Sequence, residues 1–155
     1  MRVAEGAAIA FSMCALLVGA CDQRDTGPAT VAAASEEGQT LQERERFVEE
    51  YVRFQRDYLR LEYKIRYHNN SGGMIPGPSD WDIRLIAEVP EDTLEEWIPE
   101  EAPATRAAEP PAWVADLPGA IERSGLTEWY RVGGREVGVD RERAIVVYRN
   151  RSVWN

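Results

Sequence analysis

Two glycines near the C-terminus constrain this chain more than any other feature. Gly133-Gly134 separates Glu128–Val132 from Arg135–Asp140, two runs in which apolar and polar residues alternate. A two-residue glycine turn between such runs specifies a β-hairpin, and a type I′ turn, with both glycines at positive φ, matches the strand twist. Pairing through that turn puts Tyr130 opposite Val137 and Val132 opposite Arg135. Arg141 and Glu142 then return the chain into a strand over 144–149, with Val137 facing Val146 and Val139 facing Ala144. In that register Tyr130, Val132, Val137, Val139, Ala144, Val146 and Tyr148 share one face, so turn chemistry and apolar period agree on a β-meander. Trp129 falls on the opposite face, which predicts a second, covered face rather than an exposed aromatic patch.

Upstream, Phe47, Tyr51, Phe54, Tyr58, Leu61 and Ile65 recur at alternating spacings of four and three, widened by Val48, Val52 and Leu59. This period predicts a core-facing amphipathic helix from Thr40 or Leu41 to about residue 59. Glu43, Glu45, Glu49 and Glu50 cluster early in it, where the helix dipole favours acids. Leu61, Tyr63, Ile65 and Tyr67 also alternate with polar residues, so 61–68 reads as a half-buried strand that overlaps the helical pattern. A loop rich in Asn, Gly and Pro follows, and Trp81, Ile83, Leu85, Ala87 and Val89 alternate in a second strand. Pro90, Glu91 and Asp92 open a short helix carrying Leu94, Trp97 and Ile98. Residues 100–111 read as a surface loop, and Trp113, Val114 and Leu117 as one helical turn docking on the sheet. The fold class is therefore α+β: an N-terminal amphipathic helix packed on a four- to five-stranded antiparallel sheet, ending in the meander.

The N-terminus carries a different signal. Residues 7–20 are apolar or small, preceded by Arg2, and too short for a bilayer span of roughly 20 residues. They suit the apolar region of a secretory signal. Val18-Gly19-Ala20-Cys21 resembles the lipobox of bacterial lipoproteins. The resemblance covers only this leader. It implies that the Cys21 sulfur takes a diacylglycerol, that the chain is cut before it, and that the new amino group is acylated. Asp22 resembles an inner-membrane retention residue, favouring the inner over the outer membrane. The expected organisation is a signal peptide over 1–20, a flexible tether over 21–40 and a single domain over 41–155, facing the periplasm from a lipid anchor. The tether follows from the Ala, Gly, Thr, Ser and Glu content of 22–40, which lacks any apolar period.

Eighteen basic residues against 27 acidic give a net charge of −9, which repels nucleic acid. With Cys14 in the leader and Cys21 acylated, no cysteine is left for a disulfide. One histidine and no free cysteine give no usual zinc set, and Asp80 and Asp82 are followed by no calcium-loop pattern. No phosphate loop or nucleophile-elbow motif is present, so no metal or cofactor is expected.

The densest functional potential lies between residues 68 and 82. His68, Asn69, Gly72, Gly73, Pro76, Pro78, Asp80, Trp81 and Asp82 form a candidate recognition loop whose glycines and prolines set its shape. The expected role is non-enzymatic binding of another envelope protein or component. The alternative is a small periplasmic hydrolase in which His68 is the general base and Asp80 or Asp82 orients it.

Overall fold

A computed structural model of the chain describes residues 30–70 and 77–152. Its helix α1 (Leu41–Val52) begins at a capping box: Thr40 Oγ1 accepts from the Glu43 N–H (3.3 Å) and Glu43 accepts from the Thr40 N–H (2.7 Å). The helix ends seven residues earlier than its apolar period predicts. Arg53 (φ 51°) and Gln55 (φ 52°) turn left-handed, and the Glu49 carboxylate accepts the Gln55 N–H. Phe54 and Tyr58 still reach the core, edge-on to Trp97 with ring centroids 5.3 and 5.9 Å away, but from irregular chain outside the helix. Leu59, expected on the buried stripe, is 60% exposed. Pairing decides the outcome, because the next segment is claimed by a long antiparallel ladder.

That ladder joins β2 (Arg60–His68) and β3 (Asp80–Glu88) from Arg60↔Glu88 to His68↔Asp80. Outside it lies β1 (Val31–Ala34), which pairs only with β2. Residues 31–34 belong to the span whose composition predicts a flexible tether, so that expectation fails for them. The residues flanking the strand pin both its ends: Ser35 exchanges hydrogen bonds with the Tyr63 backbone, and Thr30 Oγ1 accepts the Asn69 N–H. A further two-residue strand, β4 (Thr105–Arg106), interrupts the expected surface loop. With β5 (Glu128–Val132), β6 (Arg135–Asp140) and β7 (Ile145–Arg151) the described residues form one antiparallel sheet of seven strands, ordered β1-β2-β3-β7-β6-β5-β4. Four or five were expected; β1 and β4 are the edge strands that apolar alternation does not reveal.

The meander holds with two corrections. Tyr130 pairs with Val137 and Val132 with Arg135, as expected, but only Gly133 takes positive φ (57°). A positive φ at the first turn residue alone matches a type II′ turn rather than I′. The second hairpin is offset by two residues, with Val137↔Tyr148 and Val139↔Val146. Its turn is longer than expected because the Asp140 carboxylate gathers the Glu142 and Arg143 amides (3.1 and 3.3 Å) and Ala144 turns left-handed (φ 51°). An offset of two preserves which face each side chain occupies.

The sheet has two faces and each carries a core. On the first, Tyr63, Ile65, Ile83, Leu85, Val137, Val139, Val146 and Tyr148 pack beneath α1 and the 3₁₀ helix Glu91–Trp97. On the second, Ile86, Trp129, Ile145 and Val147 pack beneath Trp113, Val114, Leu117, Ile121 and Leu126, which include the 3₁₀ turn Ala112–Val114. Trp129 therefore sits where its parity predicts, under a short docked segment. The first face is covered further along the strands than the second, and that difference creates the site.

Candidate functional site

Successive rows across the second face show where the cover stops. The register aligns Glu62, Ile86, Val147, Gly138 and Trp129 in one cross-strand row, and all five are buried. The next row is Lys64, Arg84, Arg149, Glu136 and Arg131. Beyond it lie Arg66, Asp82 and Arg151, and then His68 opposite Asp80. Apolar side chains thus give way within one residue pair to an open, charged half-face. Arg149 marks the border, with its guanidinium 5.7 Å from the Trp113 ring centre.

Like charges directly opposite on adjacent strands repel. The Lys64–Arg84–Arg149 row is tolerated because Asp82 lies diagonally between two of them. Arg84 donates to Asp82 Oδ2 through Nε (3.0 Å) and Nη2 (2.5 Å), while Arg149 donates through Nε to Oδ1 (2.9 Å) and through Nη2 to Oδ2 (3.1 Å). Burial pushes the Asp82 carboxyl up, but the hydrogen bonds and charges of the two arginines outweigh it and hold it at about 2. Arg84 also reaches Asp116 (3.1 Å), and Glu136 sits 3.8 Å from Arg149 and 3.2 Å from Arg131.

The remaining cations have no such partner. Lys64, Arg66 and Arg151 are exposed and make no ion pair among the described residues. Lys64 and Arg66 line two connected grooves of about 600 and about 470 Å³ that share Ala32, Arg66 and Asp82, and Arg151 lies beside them as the register partner of Asp82. The first also touches His68, Asp80 and Ser152, and the second Ala34, Lys64, Arg84 and Asp116. The grooves exist because β1 presents only Ala32 and Ala34 beside the long side chains of β2. In a chain of net charge −9, this half-face carries six Lys and Arg against Asp80, Asp82, Asp116 and Glu136. The chain matches no family model, no curated protein and no solved structure.

The expected recognition residues separate on this frame. His68, Asp80 and Asp82 share the second face, His68 exposed and Asp80 partly buried. Trp81 turns to the first face, half-buried, where its Nε1–H donates to Asn150 Oδ1 (3.3 Å). The Asn69 N–H donates to Thr30 Oγ1 (2.9 Å), and the neighbouring Asn70 side chain donates to the Pro78 carbonyl (2.8 Å), closing the loop base. Gly72, Gly73 and Pro76 lie outside the described residues, as does Cys21.

For proton transfer the geometry offers little. His68 and Asp80 are a register pair without a hydrogen bond or ion pair between them. Asp82, the other orienting candidate, has both oxygens committed to guanidinium groups. The Ser152 hydroxyl is engaged with the Trp81 backbone (3.3 and 3.4 Å). No group of three or more His, Cys, Asp or Glu among the described residues converges to hold a metal. What the half-face can do is attract and position negative charge.

Lys64, Arg66, Arg84, Arg149 and Arg151 were not singled out by motif. The available signal was composition by position: in an acidic protein, polar positions of β2 and β7 carry Lys64, Arg66, Arg149 and Arg151, while those of β3 are mixed. Asp82→Asn should destabilise the fold by about 1–2 kcal/mol at neutral pH, allowing for the site's partial exposure. The native carboxyl titrates below its unfolded value near 4, so its contribution is complete above pH 4 and lost as pH falls towards 2. The stability gap between parent and variant should close over that window. A gap constant from pH 7 to pH 2 would show that Asp82 is not held by the arginines.

Proposed function

We propose that this chain is a lipid-anchored protein of the bacterial cell envelope whose domain binds a negatively charged envelope component through the open half of its sheet. The observation that carries the reading is the pair of connected grooves lined by unneutralised Lys64 and Arg66, with unneutralised Arg151 on the same face opposite Asp82, in a protein whose net charge is −9. The anchor rests on the lipobox-like Val18-Gly19-Ala20-Cys21. Among the described residues no helix is long and apolar enough to cross a membrane. Residues 22–30 would be the only leash between an acylated Cys21 and β1. Nine residues reach at most about 30 Å, which keeps the binding face near the bilayer. Acyl chains hold through about 0.8 kcal/mol per buried CH₂.

The role is recognition rather than hydrolysis: the carboxylate best placed to assist chemistry, Asp82, holds the arginine row in place instead. In-cell crosslinking of the parent chain, Cys21→Ser, and the triple variant Lys64→Glu/Arg66→Glu/Arg151→Glu tests both halves at matched protein levels. Cys21→Ser should lose lipid labelling and membrane partition. The triple variant should keep both and capture at least tenfold less partner. Equal capture by the triple variant overturns the binding half, and unchanged mass and partition of Cys21→Ser overturn the anchor.

A further inference from the structure

We propose that the outer edge of β1 accepts an extended acidic segment of a partner protein as an eighth strand, with carboxylates at alternate residues meeting Lys64 and Arg66. This rests on the binding reading above and names the class of ligand. The Ser35 N–H donates to the Tyr63 carbonyl (3.0 Å), which makes Ser35/Tyr63 a hydrogen-bonded pair. Stepping by two along the register, Ala33/Ile65 and Val31/Tyr67 are the other pairs bonded inward. Ala32 and Ala34 therefore direct their N–H and C=O groups outward, and no described strand pairs with that edge. Natural edges are commonly guarded by lysine, proline or a bulge. None of these occurs in Val31–Ala34.

The same two residues share the charged face, since Ala32 pairs with Arg66 and Ala34 with Lys64. A strand added to β1 would lie two strand spacings, roughly 10 Å, from β2. Across methyl groups as small as alanine's, extended Lys and Arg side chains cover that gap. Residues of the added strand opposite Ala32 and Ala34 would point into the groove, placing acids at positions i and i+2 against Arg66 and Lys64. The residue between them would point to the other face, where Val31 and Ala33 pack at the margin of the first core. The expected pattern is acidic–apolar–acidic in extended conformation, the mode of β-strand addition in which backbone bonds give affinity and alternate side chains give selection.

The probe is a fluorescent, end-blocked octapeptide alternating Glu and Val, titrated by anisotropy against the full chain in detergent micelles. It should bind saturably, and a Lys/Val counterpart at least tenfold more weakly. Lys64→Glu/Arg66→Glu should weaken binding tenfold or more. Ala32→Pro should do the same, because it deletes an outward N–H without touching a β1–β2 bond, and its thermal midpoint checks the fold. A Glu/Val peptide N-methylated at alternate amides tests the same bonds without altering the protein. Tight binding by Ala32→Pro and by the N-methylated peptide, with loss on charge reversal, would overturn strand addition while leaving the anionic face standing. Strand addition is also overturned if the Glu/Val peptide fails to bind, if the edge is occupied by a second copy in a concentration-dependent dimer, or if phosphatidylglycerol vesicles alone displace the peptide and bind Ala32→Pro equally well. Failure of the broader reading shows separately, as unchanged partner capture in cells by the triple variant.

Discussion

Replacing Trp129 with alanine should destabilise the protein by about 3–5 kcal/mol, the cost of emptying a large, fully enclosed aromatic site. Trp129 is 2% exposed and lies across Gly138, its register partner on β6. A Cβ added to Gly138 would come within 2.6–2.8 Å of the indole ring, so the glycine is required for space. The indole Nε1–H donates to the Leu126 carbonyl (3.0 Å), and the ring meets Trp113 edge-on with centroids 6.2 Å apart. One side chain therefore joins the sheet, the 3₁₀ turn and the loop that cover the second face. Trp129→Phe should cost less, mainly the lost hydrogen bond of about 1 kcal/mol and some packing. Gly138→Val should be destabilising alone and less so in the Trp129→Ala background, because the same volume cannot be overfilled and emptied at once. Urea unfolding of the four chains reads this coupling. Strict additivity would mean that Trp129 and Gly138 do not share a site.

Glu62→Ala should cost about 3 kcal/mol, because it strands a shielded guanidinium. Glu62 is the one polar member of the buried cross-strand row, 9% exposed. The Ser35 hydroxyl donates to it (2.5 Å) and Arg44 of α1 pairs with it (2.6 Å). Arg44 also donates to the carbonyls of Leu61 and Glu36 (2.9 Å each), so the guanidinium ties α1, β2 and the end of β1 together. Those carbonyls retain part of its hydrogen bonding in the variant, which keeps the loss at the lower end for a broken buried pair. The double variant Glu62→Leu/Arg44→Leu should recover most of the stability, since removing both charges removes the penalty for burying either. If Glu62→Ala melts within 1 °C of the parent, the pair is not a structural lock.

Particular residues show how far the sequence alone reached and where it stopped. The β5–β6 register followed from Gly133-Gly134 and the alternation beside it, because a two-residue turn leaves no freedom in how its strands pair. The buried faces of the later strands, and Trp129 under a docked segment, followed from parity, which survived even the two-residue offset of β6–β7. The helix boundary did not follow. Phe54 and Tyr58 belong to the core whether the chain carrying them is helical or irregular, so their spacing reports burial and not conformation; the pull of β3 on β2 decided the rest.

Only the tertiary structure made β1 a strand. Val31–Ala34 has almost no side-chain signal, and its pairing depends on a β2 edge that exists only once β3 is in place. The charged half-face is of the same kind. Lys64, Arg84, Arg149 and Asp82 were each legible as polar strand positions, and His68, Asp80 and Asp82 as neighbours in one loop region. Which charges cancel and which stay free is set by cross-strand register between segments more than 60 residues apart. Local sequence determines the period of each strand; the partner that long-range pairing places beside it determines its electrostatics.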